Sequence, residues 1–210
     1  MPTGGRDPVL EEYARLANRY DRRWSFYIDA TTRETMKRLP LRPGDRLIDI
    51  GCGTGALLHA LSEANGEASL VGVDPTPEMM RIARERLPPA VRLVLGRGER
   101  LPFRDESFDV AVSASVFHYF RQPRVALAEI ARVLRPRGLV VITDWCGNYL
   151  ACRVCDRILR WINRAHFRAY SREECHALIE SAKFESIEIE CYKINWLWGL
   201  MNARAVKVCA

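Results

Sequence analysis

The stretch Leu47-Ile48-Asp49-Ile50-Gly51-Cys52-Gly53-Thr54-Gly55 decides the fold. After Asp45 and Arg46, its first four residues read as a short apolar strand that runs straight into a glycine loop. A helical pattern follows at once in Ala56, Leu57, Leu58, Ala60 and Leu61. A second apolar run, Ser69-Leu70-Val71-Gly72-Val73, ends in Asp74. Strand, glycine turn, helix, strand and acid is the build of a nucleotide-type cofactor site. Glycine serves the turn because no Cβ keeps a ligand away from the backbone. An acid at the tip of the second strand can accept from both hydroxyls of a ribose.

Two cofactors fit that build. Gly51-x-Gly53-x-x-Ala56 matches the relaxed dinucleotide fingerprint, with Asp74 at a suitable distance. S-adenosylmethionine has no pyrophosphate and carries a cationic amino group. Asp49, just before the glycines, suits that cation and would repel a pyrophosphate. The plainer alternative for Asp49 is a strand-end residue that caps the loop.

Working outward, strands are expected near 46–50, 69–73, 91–95, 108–113 and 138–144, and helices near 55–64, 76–86 and 122–134. Such alternation builds a parallel sheet with helices on both faces. Residues 184–191 alternate as a strand, and a last strand is expected near 201–208. With no helix between them, these two pair antiparallel, which suits no standard dinucleotide domain. Asp7-Pro8 reads as a helix start. The segment to about Leu39 reads as two helices rich in aromatics, among them Tyr13, Tyr20, Trp24, Phe26 and Tyr27.

The 210 residues suit one domain with a sizeable core. The first residues lack the apolar run of a signal peptide, and no stretch has the length of a transmembrane helix, so a cytoplasmic location is expected. Seven cysteines form no ligand pattern. Cys152-x-x-Cys155 is the only close pair, so reduced, mostly buried thiols are expected and no metal. The net charge is +6, carried almost wholly by arginine.

Several motifs in order extend the reading. They are Leu47–Gly55, Val71-Gly72-Val73-Asp74-Pro75-Thr76-Pro77-Glu78-Met79-Met80, Gly96-Arg97-Gly98-Glu99-Arg100-Leu101-Pro102-Phe103, Ser107-Phe108-Asp109-Val110-Ala111-Val112 and Leu134-Arg135-Pro136-Arg137-Gly138-Leu139-Val140-Val141-Ile142. With this set, residues 40–145 resemble the class I S-adenosylmethionine-dependent methyltransferases of the ubiquinone/menaquinone-biosynthesis-like (type 11) group. The resemblance implies a Rossmann-like α/β fold, with a seven-stranded, mostly parallel sheet, a C-terminal antiparallel hairpin and an N-terminal helical lid. It divides the single domain 1–210 into a lid (1–39), a cofactor-binding core (40–145) and substrate-side helices with the hairpin (146–210).

The resemblance further implies cofactor contacts. Asp49 with Gly51, Cys52, Gly53 and Gly55 faces the methionine end. Asp74 holds the ribose, while Pro75 and Met79 pack near the adenine. Gly98 and Glu99 line the adenine edge. The backbone around Ser113 meets the methionine amino group, and Tyr20 of the lid lies near the methionine carboxylate. One departure stands out. Arg97 occupies a position where the family usually has an acid that accepts from the adenine amino group. Arginine has donors only, so Glu99 or a backbone carbonyl must serve, or adenine is held by packing.

Methyl transfer from a sulfonium is an in-line displacement that asks for alignment and exclusion of water. A base is needed only where the acceptor carries a proton. Candidates lie after the carboxyl ends of the strands. His118, within Ser113-Ala114-Ser115-Val116-Phe117-His118-Tyr119-Phe120, has the pKa range of a general base, or it shapes the methionine pocket. Asp144-Trp145 faces the substrate in this reading. His166 and Tyr170, ahead of the helix cap Ser171-Arg172-Glu173-Glu174, line the acceptor pocket or simply pack.

The Asn/Asp/Ser-Pro-Pro-aromatic motif of amino-methylating enzymes on bases is absent, as is the Pro-Cys of cytosine C5 enzymes, which argues against a nucleic-acid substrate but leaves RNA wobble-base chemistry open. The expected acceptor is a small molecule, quinone-like, aromatic or lipid-like, in keeping with the apolar segment Ile194–Leu200. A non-catalytic binding module and a nicotinamide-dependent oxidoreductase are the alternatives. Arg153, Arg157, Arg160, Arg164 and Arg168 recur at helical spacing beside Val154, Ile158, Trp161 and Ala165. That face is a solvated surface, or a dock for a phosphate, an anionic lipid surface or an acidic protein. The chain is expected to act as a monomer or homodimer.

Overall fold

The computed structural model of the protein describes residues 8–64, 66–162, 168–196 and 198–209. Among them, seven strands form one sheet: β1 (Arg46–Ile50), β2 (Ser69–Asp74), β3 (Arg92–Leu95), β4 (Phe108–Ala114), β5 (Leu134–Trp145), β6 (Phe184–Lys193) and β7 (Gly199–Lys207). The helices are α1 (Pro8–Lys37), α2 (Ala56–Ala64), α3 (Pro77–Arg86), α4 (Pro123–Val133), α5 (Leu150–Ile162) and α6 (Arg172–Ser181), with a 3₁₀ turn at Phe117–Tyr119. Strand order is β3-β2-β1-β4-β5-β7-β6. β1 to β5 run parallel, and β7 is antiparallel to both β5 and β6. The order reverses beside β1 and β4, which opens a crevice at their carboxyl ends.

Alternation within the strands builds the two halves of the core. Ile48, Ile50, Val71, Val73, Ala111 and Ile142 face Leu127, Ile130 and Val133 of α4 and Cys175 and Ile179 of α6. Leu47, Leu70, Val110, Val112 and Val141 face Leu57, Leu58 and Leu61 of α2 and Met80 and Ala83 of α3. A fully buried side chain of this size stabilises the fold by roughly 1.5–3 kcal/mol. The sheet is therefore a rigid platform for its loops.

The N-terminal segment is one helix and not two. No glycine or proline stands between Val9 and Leu39 to break it. Tyr13, Ala17, Tyr20, Tyr27, Thr31 and Thr35 keep a continuous stripe at helical spacing, so α1 extends about 45 Å. Its end is anchored on the sheet. Thr35 Oγ1 donates to Thr143 Oγ1 at 2.9 Å, and Asn202 Nδ2 donates to the same oxygen at 2.7 Å. Two further boundaries differ from expectation. β5 begins at Leu134, because Pro136 favours extended backbone before it and Leu134 pairs with Phe108. β7 begins at Gly199, so Gly199 and Leu200 belong to the hairpin and not to the segment before it. The helix cap at Ser171 is a full capping box with Glu174.

Candidate functional site

The loop after β1 is shaped by three glycines in left-handed backbone, with φ of +79° at Gly51, +53° at Gly53 and +79° at Gly55. A side chain at Gly51 would also collide with Val116, its Cβ only 2.4 Å from Val116 Cγ1. The loop is pinned to the next strand. Gly51 N–H and Cys52 N–H both donate to Val73 O, at 2.7 and 3.0 Å. Gly53 N–H donates to one oxygen of Asp74 at 3.0 Å, and Thr76 N–H donates to the other at 2.8 Å. Asp74 thus fixes the loop as well as facing the crevice.

Above the loop lies a cavity of about 1160 Å³, counted with its open mouth. Its floor is Asp49, Gly51, Cys52, Gly53, Asp74, Pro75 and Met79, and one wall is Gly96 to Glu99. Ala114, Ser115, Val116, Tyr119, Phe120 and Arg121 come from the end of β4 and the turn beyond it. The roof is α1, through Leu10, Tyr13, Tyr20, Ile28, Thr31 and Thr32. Tyr13 packs on Tyr20 and Tyr119, with ring centroids 5.6 and 5.4 Å apart.

The electrostatics are those of a site built for a cation. Asp49 is 2% exposed, and no hydrogen bond or ion pair reaches its carboxylate among the described residues. Burial, and then the charge of Asp74, push its pKa up to about 8. Asp74 is raised by burial too, with the N–H groups of Thr76 and Gly53 opposing the shift. Burial pushes the Tyr20 phenol up to about 12 and raises Tyr13 and Tyr119 as well, so all three stay neutral donors near neutral pH. The same cause raises Cys52, which rules out a thiolate in the loop at neutral pH.

Most residues singled out in the sequence meet here. Tyr20, Asp49, Gly51, Cys52, Gly53, Asp74, Pro75, Met79, Gly98 and Glu99 all line the cavity. Glu99 does so beside Arg97, which supplies an acceptor where arginine has none. Gly55 lies under the loop, against Leu87 and Ala83. Ser113 is buried within the sheet with its hydroxyl unpartnered. Its place at the cavity is taken by Ser115, where the strand has ended and the backbone turns to φ +61°.

His118 and Asp144 stand behind the cavity wall and do not line it. Asp144 accepts from His118 N–H at 2.9 Å and from Trp145 N–H at 2.6 Å, and its Oδ1 lies 2.6 Å from His118 Nδ1. The His118 ring rests 4.0 Å from the ring of Tyr119, which does reach the cavity. Tyr170 is buried against Phe117. His166, Ala165 and Arg164 lie outside the described residues, as do the side chains of Arg160 and Trp161.

Other parts were not evident from sequence. Tyr27 accepts from Trp145 Nε1 at 2.8 Å and shares a 2.9 Å hydrogen bond with Ser115 Oγ. Thr31 turns a buried, unpartnered hydroxyl into the roof. Asp21 of α1 is bound by Thr54 of the loop and by Arg86 of α3. The only sequence signal for these was helical phase, since Thr31 and Tyr20 fall on the face of Tyr27.

A described family, the methyltransferase domain, matches residues 48–142, the span from the first strand through the glycine loop to the middle of β5. Residues 48–142 belong to the class I S-adenosylmethionine-dependent methyltransferase domain family. Among curated relatives of this methyltransferase is the uncharacterized methyltransferase YcgJ of Bacillus subtilis. It is 31% identical over 167 residues, 76% of this chain and 64% of the relative. The chain spans only 32% to 37% of the length of several other matched relatives.

Two solved structures share the fold. One is a Haloferax volcanii methyltransferase chain in complex with the Trm112 methyltransferase activator, with TM-score 0.83, 22% identity, 94% of this chain and 98% of that one covered. The other is phosphoethanolamine N-methyltransferase 2 of Haemonchus contortus in complex with S-adenosyl-L-methionine. Its TM-score is 0.74 at 17% identity, covering 100% of this chain and 62% of that one. The cofactor of this methyltransferase is S-adenosylmethionine, and the residues present fit it. Asp49 presents a buried carboxylate with no hydrogen-bond partner among the described residues, and Asp74 stands as a second acid at the tip of β2, chemistry that suits an amino group and a ribose.

Proposed function

We propose that the protein transfers a methyl group from S-adenosylmethionine to an O, N or C atom of a small acceptor held under α1. The acceptor class we assign is aromatic, quinone-like or lipid-like. The observation that carries this reading is the joint construction of the cavity. Its floor holds the acids suited to the cofactor, and its roof is a helix that offers Leu10, Ile28 and the phenols of Tyr13 and Tyr20. When bound, the cofactor supplies a methyl group activated by a positive sulfur. Asp49 then pairs with the amino group and fixes the methionine end, while Asp74 accepts from the ribose. The tyrosines and α1 exclude water and align the acceptor.

In this reading His118 and Asp144 are positioning residues. The carboxylate of Asp144 fixes the imidazole, and the imidazole backs Tyr119. The carboxylates that line the cavity among the described residues are Asp49, Asp74 and Glu99, and this reading gives all three to the cofactor, so none is left to take a proton from a phenol or ammonium. An acceptor that is already deprotonated, or a carbon nucleophile, suits the site best. Seven free cysteines agree with a cytoplasmic protein, and no described helix is long and apolar enough to cross a membrane.

The test is transfer of labelled methyl from S-adenosylmethionine to a panel of phenols, quinols, amines and prenyl or acyl lipids. Turnover on one class identifies the acceptor. Tight binding of S-adenosylhomocysteine with transfer only to protein or nucleic acid would sink the proposal.

A further inference from the structure

We propose that the protein docks on an anionic membrane surface through the outer face of α5 and the adjoining turn that carries Trp196. The inner side of α5 is fixed by Cys152 and Asp156. Cys152 Sγ lies 3.3 Å from both N and O of Gly199, and Asp156 accepts from Ala169 N–H at 2.7 Å. On the opposite side, Leu150, Val154 and Ile158 are 73%, 50% and 52% exposed. Spaced four apart, they form one apolar row along the helix, where a helix facing water would carry polar groups.

Arg153 and Arg157 run beside that row, both exposed and neither paired with a carboxylate among the described residues. The one acid of α5, Asp156, faces inward. Trp196 extends the surface and is 84% exposed. Its turn is held against the start of α5, with Lys193 Nζ 5.6 Å from the ring of Tyr149 and Gly199 against Cys152. An aliphatic row flanked by guanidinium groups, with an indole at one end, is the pattern of a helix lying in a lipid interface. The ridge is exposed and basic. That suits a fluid, negatively charged headgroup layer, which attracts each arginine and admits the apolar row.

The location gives the surface a purpose. α5 follows the carboxyl end of β5, and the Trp196 turn precedes β7, which runs antiparallel to β5. Both therefore lie at the edge of the sheet where the cavity opens. Trp198 of the same turn packs 4.7 Å from Trp145, whose Nε1 donates to Tyr27, and Tyr27 is bonded to Ser115 of the cavity. Docking would set the cavity edge against the bilayer, and does not depend on which acceptor is methylated.

The experiment is flotation of the full chain with vesicles of phosphatidylglycerol and phosphatidylcholine, against phosphatidylcholine alone. The expected result is partition onto the anionic vesicles, weakening as salt is raised. V154E/I158E should abolish it. R153A/R157A should weaken it about 25-fold, about fivefold for each arginine. All four side chains are exposed, so binding of S-adenosylhomocysteine measured by calorimetry should be unchanged in both variants, which separates this surface from the cofactor site. Three outcomes would overturn the proposal. The chain stays in solution beside anionic vesicles, V154E/I158E floats like the parent, or light scattering shows a dimer or a protein complex that V154E/I158E dissociates while no vesicle is bound.

Discussion

Thr54 of the glycine loop donates to Asp21 of α1 across 2.7 Å, and this bond is where the roof of the cavity meets its floor. Arg86 completes the clasp, pairing with the other oxygen of Asp21 and donating at 3.0 Å to both the carbonyl and the hydroxyl of Thr54. The ion pair is about one third exposed on each side, so its share of stability is modest, about 1 kcal/mol. Its larger effect is on opening of α1. Asp21→Asn should lower Tm by only about 2–4 °C and should speed release of S-adenosylhomocysteine. Stopped-flow dissociation checks this. An unchanged release rate would mean that α1 does not gate the cavity.

Asp49 sets a pH dependence with a definite sign. Its folded pKa of about 8 lies above the ordinary carboxylate value. The folded protein therefore holds a proton that the unfolded chain has released, and stability without cofactor falls as pH rises from about 4 to about 8. Asp49→Asn should remove that loss and raise Tm at pH 8 by about 5 °C or more. The same change should cost cofactor affinity, since the amide cannot pair with an ammonium. Parent affinity should rise with pH over the interval in which Asp49 ionises, with release of a proton on binding below pH 8. Calorimetry in two buffers of different ionisation enthalpy reads that proton directly, and binding without proton release at pH 7 would refute the assignment.

Asp74 serves two purposes, and a substitution should expose both. Asp74→Ala takes the acceptor from Gly53 N–H and Thr76 N–H, so the loop loses its tie to β2. It also removes the acid assigned to the ribose. Hydrogen bonds to a charged group contribute about 1.5–3 kcal/mol each, so affinity for S-adenosylhomocysteine should fall by about 100-fold or more. A loss of less than about fivefold would show that the ribose is held elsewhere.

The cofactor half of the site was legible because its signals are local. Strand, glycine turn, helix and acid lie within Leu47–Asp74, and each residue type has a single backbone reason to be there. The acceptor half was not, because its parts meet over long separations. Asp21 reaches Thr54 and Arg86 only once α1 is one unbroken helix, and the sequence gives no signal for the length of that helix beyond the lack of a breaker. The sequence points to the backbone around Ser113 without fixing which residue reaches the cavity, because strand alternation does not reveal where β4 stops; Ala114 and Ser115 line it. The turn after Ala114 depends on a positive φ that serine seldom adopts, held here by Ser115 N–H donating to Thr143 O at 2.7 Å. His118 and Asp144 were each singled out alone. Their pairing follows from the register of β4 on β5, which sets Ala114 opposite Thr143.

That pairing yields the prediction that separates support from proton transfer. Asp144 accepts from three donors or potential donors while only 1% exposed, so it cannot be replaced by a group that itself donates. Asp144→Asn should destabilise the fold by about 2–4 kcal/mol, since one amide NH₂ would face N–H groups that now donate to the carboxylate. His118→Asn bears on the mechanism instead. If the imidazole only braces Tyr119, the variant should bind S-adenosylhomocysteine more weakly by a few-fold. The pH profile of methyl transfer should keep its shape, with the rate scaled down across the whole range. If His118 took a proton from the acceptor, the acidic limb of the parent profile would disappear in the variant. Rates measured from pH 5 to 9 on whichever acceptor turns over decide between the two, and loss of that limb would make His118 the general base.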